Sequence, residues 1–542
     1  MKQIIAKLLA KEVKIAEKEI ESLIEIPPNS EMGDYAFPCF KLSSVMKKNP
    51  VEIAKELAKK IKIGKEIEKI TAQGPYLNFF TNKKILADSV LKIKEGFSKG
   101  KNKEKILLEH TSVNPNASPH VGRARNSIIG DSIKRILEFS GHKVETHYYV
   151  NDVSKQIAML ALVFKEKDNF NDLLKKYQDI SKKLKDNPKL EKSVFNLLNK
   201  FEKKDPETIK LFKRIVETAV IGQREIFSSI GINFDYFDYE SKYIEQGKNI
   251  LRELEKTGKL FKDEEGRMVL NQENTGLDKM MKSPVLVLTR NDGTGLYPLR
   301  DLAYAIDKCK YGRNIIVLGE DQKLYFEQLK QALILLKKPY PEVVHYSFVL
   351  LKDAGKMSTR SGEVVLLEEF IKEATKKAEK AIKQKKTKGN PKIIGIGAIK
   401  YAMLRNENNK NITFDWEQAL SFEGDSGPYL QYSYARASSI LRKAKKKIKS
   451  KIKIIKLEEA EIKLIKKLLS FQEIVNQAYN HLSPSIIANY SFELSQTFNE
   501  FYHSCQVIGS KEESFRLALV QAFRIIIKQS LYLLGIEVME EM

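Results

Sequence analysis

Residues 105–150 constrain the fold more than any other stretch of the chain. KILLEH (105–110) is a short apolar run that reads as a buried strand, and residues 111–121 form a Pro/Asn-rich loop. Residues 122–140 carry Ile128, Ile129, Ile133, Ile136 and Leu137 at helical spacing, with Gly141 as a stop. Residues 143–150 read as a second strand. Strand, helix, strand is a βαβ unit, the seed of a parallel sheet with helices on its faces. Further sheet signals follow at 284–289 (PVLVLT), 314–319 (NIIVLG) and 343–351 (VVHYSFVLL), with a helix over 322–336. One α/β domain is expected over residues 100–360, interrupted by a mostly helical, Lys- and Asp-rich stretch at 157–235.

The flanking regions read differently. A helix over 4–21, a Pro/Asn/Gly stretch (PPNSEMGDYAF), a helix over 51–62 and a strand-like segment at 74–80 (GPYLNFF) suggest a small α/β unit. After residue 390 the pattern is all-helical, with a helix set that opens at 426 and ends at 542. At roughly 150 residues per domain, 542 residues suggest three or four domains. A hydrophobic content of 42% can build cores. The longest apolar run, at 157–164, has eight residues, well short of the roughly 18 that a membrane span needs. Lys7, Lys11 and Lys14 interrupt the N-terminal pattern, so it reads as an amphipathic helix and not a signal peptide. Cys39, Cys309 and Cys505 lie far apart with no CxxC pair, which argues against a disulfide framework or a structural zinc. A cytoplasmic, reducing environment is expected.

Lys plus Arg exceed Asp plus Glu by 94 − 70 = +24. Such an excess suits a polyanion such as nucleic acid, or it is the surface of a lysine-rich protein; composition leaves both open. The basic run at 442–456 (RKAKKKIKSKIKIIK) is likewise either solvated or RNA-facing.

Several motifs are absent: GxxxxGK[ST], GxGxxG after the first strand, and GxSxG. Two loops remain. HTSVNPNASPHVGRARN lies at a strand-to-helix turn, where Gly122 permits close backbone approach and the helix start attracts an anion. His120, Arg123 and Arg125 add donors there. AGKMSTRSGEVV (354–365) is a Gly-flanked loop presenting Lys356, Ser358, Thr359 and Arg360, which suits a polyphosphate. Either loop alone could be ordinary surface. Together, at the carboxyl ends of two sheet strands, they point to a nucleotide site.

PHVGR resembles the HIGH signature of class I aminoacyl-tRNA synthetases, and KMSTR resembles their KMSKS signature. SVNPNASPHVGRARNSIIGD, YVNDVSKQI, LYPLRDLAYA, GEDQKLYF and GAIKYAMLRNENNKNITFDWEQALSFEGDSGPYLQYSYAR narrow the resemblance to the arginyl-tRNA synthetases. GDYAFPCF and GPYLNFF are similar to that family's additional N-terminal domain. The resemblance implies a multidomain α/β fold: a Rossmann-type parallel-sheet catalytic domain, a small α/β N-terminal domain and an all-α C-terminal anticodon-binding domain. It implies a D-loop-reading domain at 1–95, a catalytic domain at 96–360 with an insertion at 160–280, a connecting region at 361–424 and the anticodon-binding domain at 425–542. The substrates implied are arginine, ATP with Mg²⁺, and tRNA(Arg), on a monomer. The family generally needs tRNA even to form the adenylate.

Carried over position by position, the catalytic set is His120, Gly122, Arg123, Lys356, Ser358 and Arg360, with Met357 joining His120, Gly122, Arg123, Lys356 and Ser358 around ATP. Arginine would meet Glu109, Asn114, Tyr297, Asp301 and Gln322, since a guanidinium with five donors calls for paired carboxylate acceptors. Read without the family, Asp301 is a helix-start charge and Tyr297 a core residue. The tRNA contacts implied are Tyr76 and Asn78 for the D-loop, and Tyr429, Tyr432, Tyr502 and Met542 for the anticodon region. No metal ligand is implied. Arg123 stands where the family has a second His, and Ser154 where it has Gly. A guanidinium still donates to phosphate but cannot copy an imidazole. The alternative reading is therefore a catalytically impaired, synthetase-like tRNA-binding protein.

Overall fold

A computed structural model describes residues 1–25, 27, 30–185, 187–352, 355–356, 365–444 and 457–542. The chain divides into two units. The first comprises Met1–Glu95, Leu441–Phe471 and Gln496–Ile525; the second comprises Gly96–Ile440, Gln472–Ser495 and Ile526–Met542. Among the described residues no helix is long and apolar enough to cross a membrane.

The first unit opens with α1 (Lys2–Ala10), α2 (Glu17–Leu23), β1 (Tyr35–Pro38), α3 (Phe40–Met46), α4 (Pro50–Lys60), β2 (Ile67–Gln73), β3 (Tyr76–Thr81) and α5 (Lys83–Val90). The single helix expected over 4–21 is two. Val13 turns inward between them, and Ala16 is extended where α2 begins, so two short helices cover one core containing Ile5, Leu9, Ile20, Phe37 and Phe79. The strands form an antiparallel sheet in the order β1-β3-β2. Gly74, at φ +56°, makes the β2–β3 turn, which is why β3 begins at Tyr76. The polar sequence of β2, IEKITAQ, hid this strand from the sequence reading. From the distant part of the unit, the helix Glu459–Leu469 packs on α5, and its buried Glu461 accepts from Arg516 Nε at 2.7 Å.

The second unit is built on a parallel sheet. β4 (Lys105–Glu109) leads through α6 (Val121–Phe139) to β5 (Lys143–Val150). Helices α7 (Lys155–Ala161), α8 (Phe170–Leu184), α9 (Pro188–Glu202) and α10 (Pro206–Ser229) follow, each started by a side-chain cap from Ser154, Asn169, Asn187 or Asp205. Ser154, in the family's Gly position, thus caps α7. Then come β6 (Tyr236–Tyr239), α11 (Ile244–Glu255), β7 (Leu260–Lys262), β8 (Met268–Asn271), β9 (Val285–Val287), α12 (Tyr297–Cys309), β10 (Arg313–Gly319), α13 (Lys323–Leu335) and β11 (Glu342–Tyr346). The sheet order is β11-β10-β4-β5-β6, all parallel. The chain reverses direction across the sheet between β4 and β10, and ligands bind at the carboxyl ends of strands at such a switch point.

Two sheet expectations need correction. PVLVLT does not join the parallel sheet; β9 pairs antiparallel with β8, Val287 opposite Val269, in a separate sheet with β7. VVHYSFVLL is two strands. Ser347 breaks it, its backbone N–H donating to Asn408 O at 2.9 Å and its hydroxyl to Asn409 O at 2.8 Å. β12 (Val349–Leu351) then pairs with β13 (Gly355–Lys356) and with β14 (Ile412–Phe414). The second motif loop therefore follows a strand outside the main sheet.

α6 packs on β4, β5 and β10. At Gly130 the approach leaves no room for a side chain, since a Cβ would stand 2.2 Å from the His110 ring. On the opposite face α11, α12 and α13 pack together through Leu254, Leu302, Phe326, Leu329 and Leu333, against Ile316 and Leu318 of β10. Helices α14 (Leu367–Lys385) and α15 (Pro391–Leu404) follow, then Gly427–Lys443. The chain end is tied to these: Ser132 donates to Leu533 O at 2.7 Å, Lys400 to Gly535 O at 2.7 Å, and Tyr434 to Glu540 at 2.6 Å. Residues 445–456, most of the basic run, lie outside the described residues.

Gly130→Val is expected to lower the thermal midpoint by several degrees, a loss of about 2–3 kcal/mol, because the rigid His110 ring has no room to retreat. A midpoint equal to wild type in differential scanning calorimetry would contradict that packing.

Candidate active site

The loop after β4 is held in an unusual backbone. Thr111 (φ +79°) and Ser112 (φ +42°) are in the left-handed region, which non-glycine residues enter only when surroundings fix them. Thr111 N–H donates to Asn126 Oδ1 at 2.6 Å, and its hydroxyl donates to Ser127 Oγ at 2.9 Å. Gln223 of α10 donates to Asn114 O at 3.0 Å and Ala117 O at 2.9 Å. α6 and the helical insertion thus shape the loop.

His120 occupies the N-cap of α6 without capping it through its side chain. The Gly122 Cα lacks the Cβ that would stand 3.1 Å from the His120 ring, so glycine makes room for the imidazole. Burial, with Arg123 adding a like charge, pushes the His120 pKa down to about 4. The ring is neutral at pH 7, and its buried Nδ1 has no hydrogen-bond partner among the described residues. The second motif is anchored beside it. Val121 N–H donates to Val365 O at 3.0 Å and Leu367 N–H to Pro119 O at 2.8 Å, while the Lys356 backbone pairs with Leu350. Met357, Ser358 and Arg360 lie outside the described residues.

Arg123 is half-buried in the first turn of α6. Arg125 is not a phosphate donor. It is fully buried, and its guanidinium donates to the carbonyls of Ser347 (2.6 Å), Lys410 (2.7 Å) and Glu407 (3.1 Å). Its helical phase turns it away from His120 and into the body of the unit.

Next to this loop is a cavity of about 400 Å³, in the range of small-molecule sites. Glu109, Asn114, Tyr297, Asp301 and Gln322 all line it. Glu109 ends β4, opposite Ile316 in β10 and His147 in β5. Asp301 is not a helix-start charge; it lies in the second turn of α12 and accepts from the Tyr325 hydroxyl at 2.5 Å. Burial pushes its pKa up to about 6, against the pull of that hydrogen bond and of Arg300. Tyr297 is not core: it is 50% exposed at the cavity, tilted against Tyr325 with ring centroids 5.1 Å apart. Buried Tyr149 Oη also lines the wall, facing Asp301, and Asn151 Oδ1 lies there without a hydrogen-bond partner among the described residues.

Three family models cover the chain: "tRNA synthetases class I (R), catalytic domain" at 85–416, "DALR anticodon binding domain" at 430–542 and "Arginyl tRNA synthetase N terminal domain" at 1–81. The chain belongs to the arginyl-tRNA synthetase family. The arginine–tRNA ligase of Methanocaldococcus jannaschii is 38% identical, covering 96% of this chain and 95% of that one. That of Clostridium perfringens is 36% identical over the full length of both. The Thermus thermophilus arginyl-tRNA synthetase structure superposes over both whole chains with a TM-score of 0.85 at 26% identity. The activity of this synthetase is that of an arginine–tRNA ligase, with ATP as substrate, and the catalytic-domain match gives no support to the impaired alternative. The fold expectation also stands: a parallel-sheet catalytic domain with an N-terminal domain and a helical C-terminal domain.

The residues assigned to tRNA lie elsewhere in the synthetase. Tyr76 is half-buried, edge-on to exposed Phe40 at 5.9 Å, and Asn78 is buried on β3. Tyr429 packs on Phe492, and Tyr432 lies under Arg436. Tyr502 is 40% exposed, and Met542 lies by the turn at Gly389. The sequence reading missed Lys308, Tyr304 and Tyr325 in the cavity wall. A signal was present: 297, 301, 304 and 308 are spaced as one face of a helix.

The His120 imidazole is expected to titrate near pH 4 by NMR, well below the ordinary value, and to move upward in Arg123→Ala once the like charge is gone. A midpoint near 6.5 in the wild type would contradict the buried, neutral ring.

Proposed function

We propose that the β4–α6 loop is the ATP site and the adjoining cavity the arginine site of this ligase. The observation that carries the reading is the convergence of Glu109, Asn114, Tyr297, Asp301 and Gln322 on one cavity that Ser112 and Asn114 of the β4–α6 loop also line. Asp301 faces the guanidinium, Tyr297 closes the mouth, and Asn114 and Gln322 orient the α-amino acid end. The arginine carboxylate attacks the α-phosphorus of ATP, releasing pyrophosphate; the terminal ribose hydroxyl of tRNA(Arg) then attacks the activated carbonyl. No covalent enzyme intermediate is needed, so the protein positions groups and stabilises phosphoryl charge.

Neutral His120 donates a hydrogen bond without adding charge, and the start of α6 supplies a favourable dipole. Arg123 supplies a fixed cation in place of the family's second His. Lys356, Met357, Ser358 and Arg360 are assigned to the phosphates on sequence alone. Mg²⁺ would ride on the ATP phosphates; among the described residues no group of three or more His, Cys, Asp or Glu is placed to hold a metal. Tyr76 and Asn78 in the 1–95 domain are assigned to the D-loop. Tyr429, Tyr432, Tyr502 and Met542 in the 425–542 domain are assigned to the anticodon region, with 96–360 catalytic and 361–424 connecting. The ligase acts as a cytoplasmic monomer.

The direct test is charging of tRNA(Arg) with labelled arginine and ATP, tRNA present from the start. No charged tRNA from well-folded protein overturns the reading, and Arg123→His reports what the departure costs. Asp301→Ala is expected to raise the arginine KM at least about 100-fold, the loss of a charged hydrogen-bonded partner, with little change in thermal midpoint. An unchanged KM with a large midpoint drop would sink the assignment. Because only ionised Asp301 offers a full charge, kcat/KM for arginine should fall as pH drops through about 6. A flat profile from pH 5 to 8 would contradict this.

A further inference from the structure

The cavity holds more buried charge than one guanidinium can answer, and its own cations answer most of it. Arg300 Nε donates to Glu240 at 2.5 Å. Asp238 accepts from Tyr304 at 2.8 Å and faces His147 Nδ1 at 2.6 Å. Glu109 is ion-paired with Lys308, both side chains almost wholly buried. The Lys308 ammonium also sits over the Tyr304 ring, 4.3 Å from its centroid. Tyr304 in turn stacks on Tyr149 at 4.3 Å. The ammonium is thus held from two sides and does not sweep through the cavity. Among the described residues Asp301 is the one buried carboxylate of the cavity wall with no ion-pair partner, Asp321 being an exposed residue at its edge; Asp301 is faced by the hydroxyls of Tyr325, at 2.5 Å, and Tyr149.

We propose that Lys308 is a positioning residue that sets the charge of the arginine seat. As the fixed counter-ion of Glu109, it leaves one unmatched buried carboxylate, Asp301, for one incoming guanidinium. This rests on the arginine-seat reading above and alters it: Glu109 and Asp301 do not act as an equivalent pair. Glu109 is a neutralised acceptor with lone pairs left for the guanidinium fork, and Asp301 supplies the charge. A buried wall with one unmatched negative charge favours a singly charged side chain over its neutral isosteres. Without Lys308 the seat would hold two unmatched carboxylates, and the charge on Glu109 would oppose ionisation of Asp301.

The test is the pH profile of kcat/KM for arginine in tRNA charging. The titratable and charged groups around the pair are Asp301, Tyr304 and Arg300 from α12, His147 and Tyr149 from β5, Asp238 in β6 with Glu240 just after it, and Tyr325 from α13. None is altered by the substitutions at 308 and 109. Lys308→Met is expected to move the acid limb upward by about one pH unit, roughly a fivefold loss at the old midpoint and about tenfold well below it. Lys308→Arg restores it. Lys308→Met combined with Glu109→Gln removes both charges and returns the limb to its wild-type position, whatever the absolute rate. That double variant carries the test should the single variant not fold. An unmoved limb in Lys308→Met, or a shifted limb in the double variant, overturns the proposal. Asp301→Asn separates the two levels. If it leaves the arginine KM unchanged, the seat itself is wrong; if it raises the KM while the limb ignores Lys308, only the role of Lys308 is wrong.

Discussion

A buried charge must be matched, and that requirement organises the catalytic unit. Removing a carboxylate from water costs several kcal/mol unless a cation or several donors replace the solvent. Glu109 meets it through Lys308, Glu240 through Arg300, Asp238 through Tyr304 and His147. The carboxylates come from β4 and the β6 region and their partners from α12 and β5, elements that the parallel sheet brings together. Asp301 meets the requirement least completely, which is why its carboxyl stays partly protonated near pH 6. In the proposed reading that incompleteness is functional: an arginine side chain would supply the missing charge.

The sheet supplies the geometry. Glu109 is the last residue of β4, beside the point where the chain switches from the β5 side to the β10 side. From there the chain enters a loop whose Thr111 and Ser112 adopt backbones that only surrounding hydrogen bonds sustain. The loop delivers His120 to the start of α6, with Gly122 making room for its ring. The residues after the second motif return to this spot, Val365 and Leu367 bonding to the backbone around His120. The proposed ATP and arginine sites thus share one strand end and one helix start.

Much of this was legible in the sequence. The βαβ unit from β4 to β5 and the helix α13 stood out because their apolar periodicity is strong. The five arginine-seat residues came from motif resemblance and do share one cavity. What escaped had physical reasons. β2 is polar and half-exposed, and β6 is only four residues long. β9 has the same apolar sequence whether its neighbour is parallel or antiparallel. Arg125 reads as a phosphate donor from its place in the motif, but its phase on α6 buries it against three carbonyls. Lys308 was overlooked because a lysine near a helix C-terminus is ordinarily a surface residue; its pairing with Glu109 spans almost 200 positions.

The central claim is that the seat recognises one positive charge and not merely the shape of arginine. Citrulline has nearly the same shape and no charge. Calorimetric binding of arginine and of citrulline to the tRNA-bound ligase at pH 7.5 compares the two directly. The account predicts that citrulline binds at least about 10³-fold more weakly, because it leaves Asp301 unmatched in the cavity. Comparable affinities for the two ligands would contradict it.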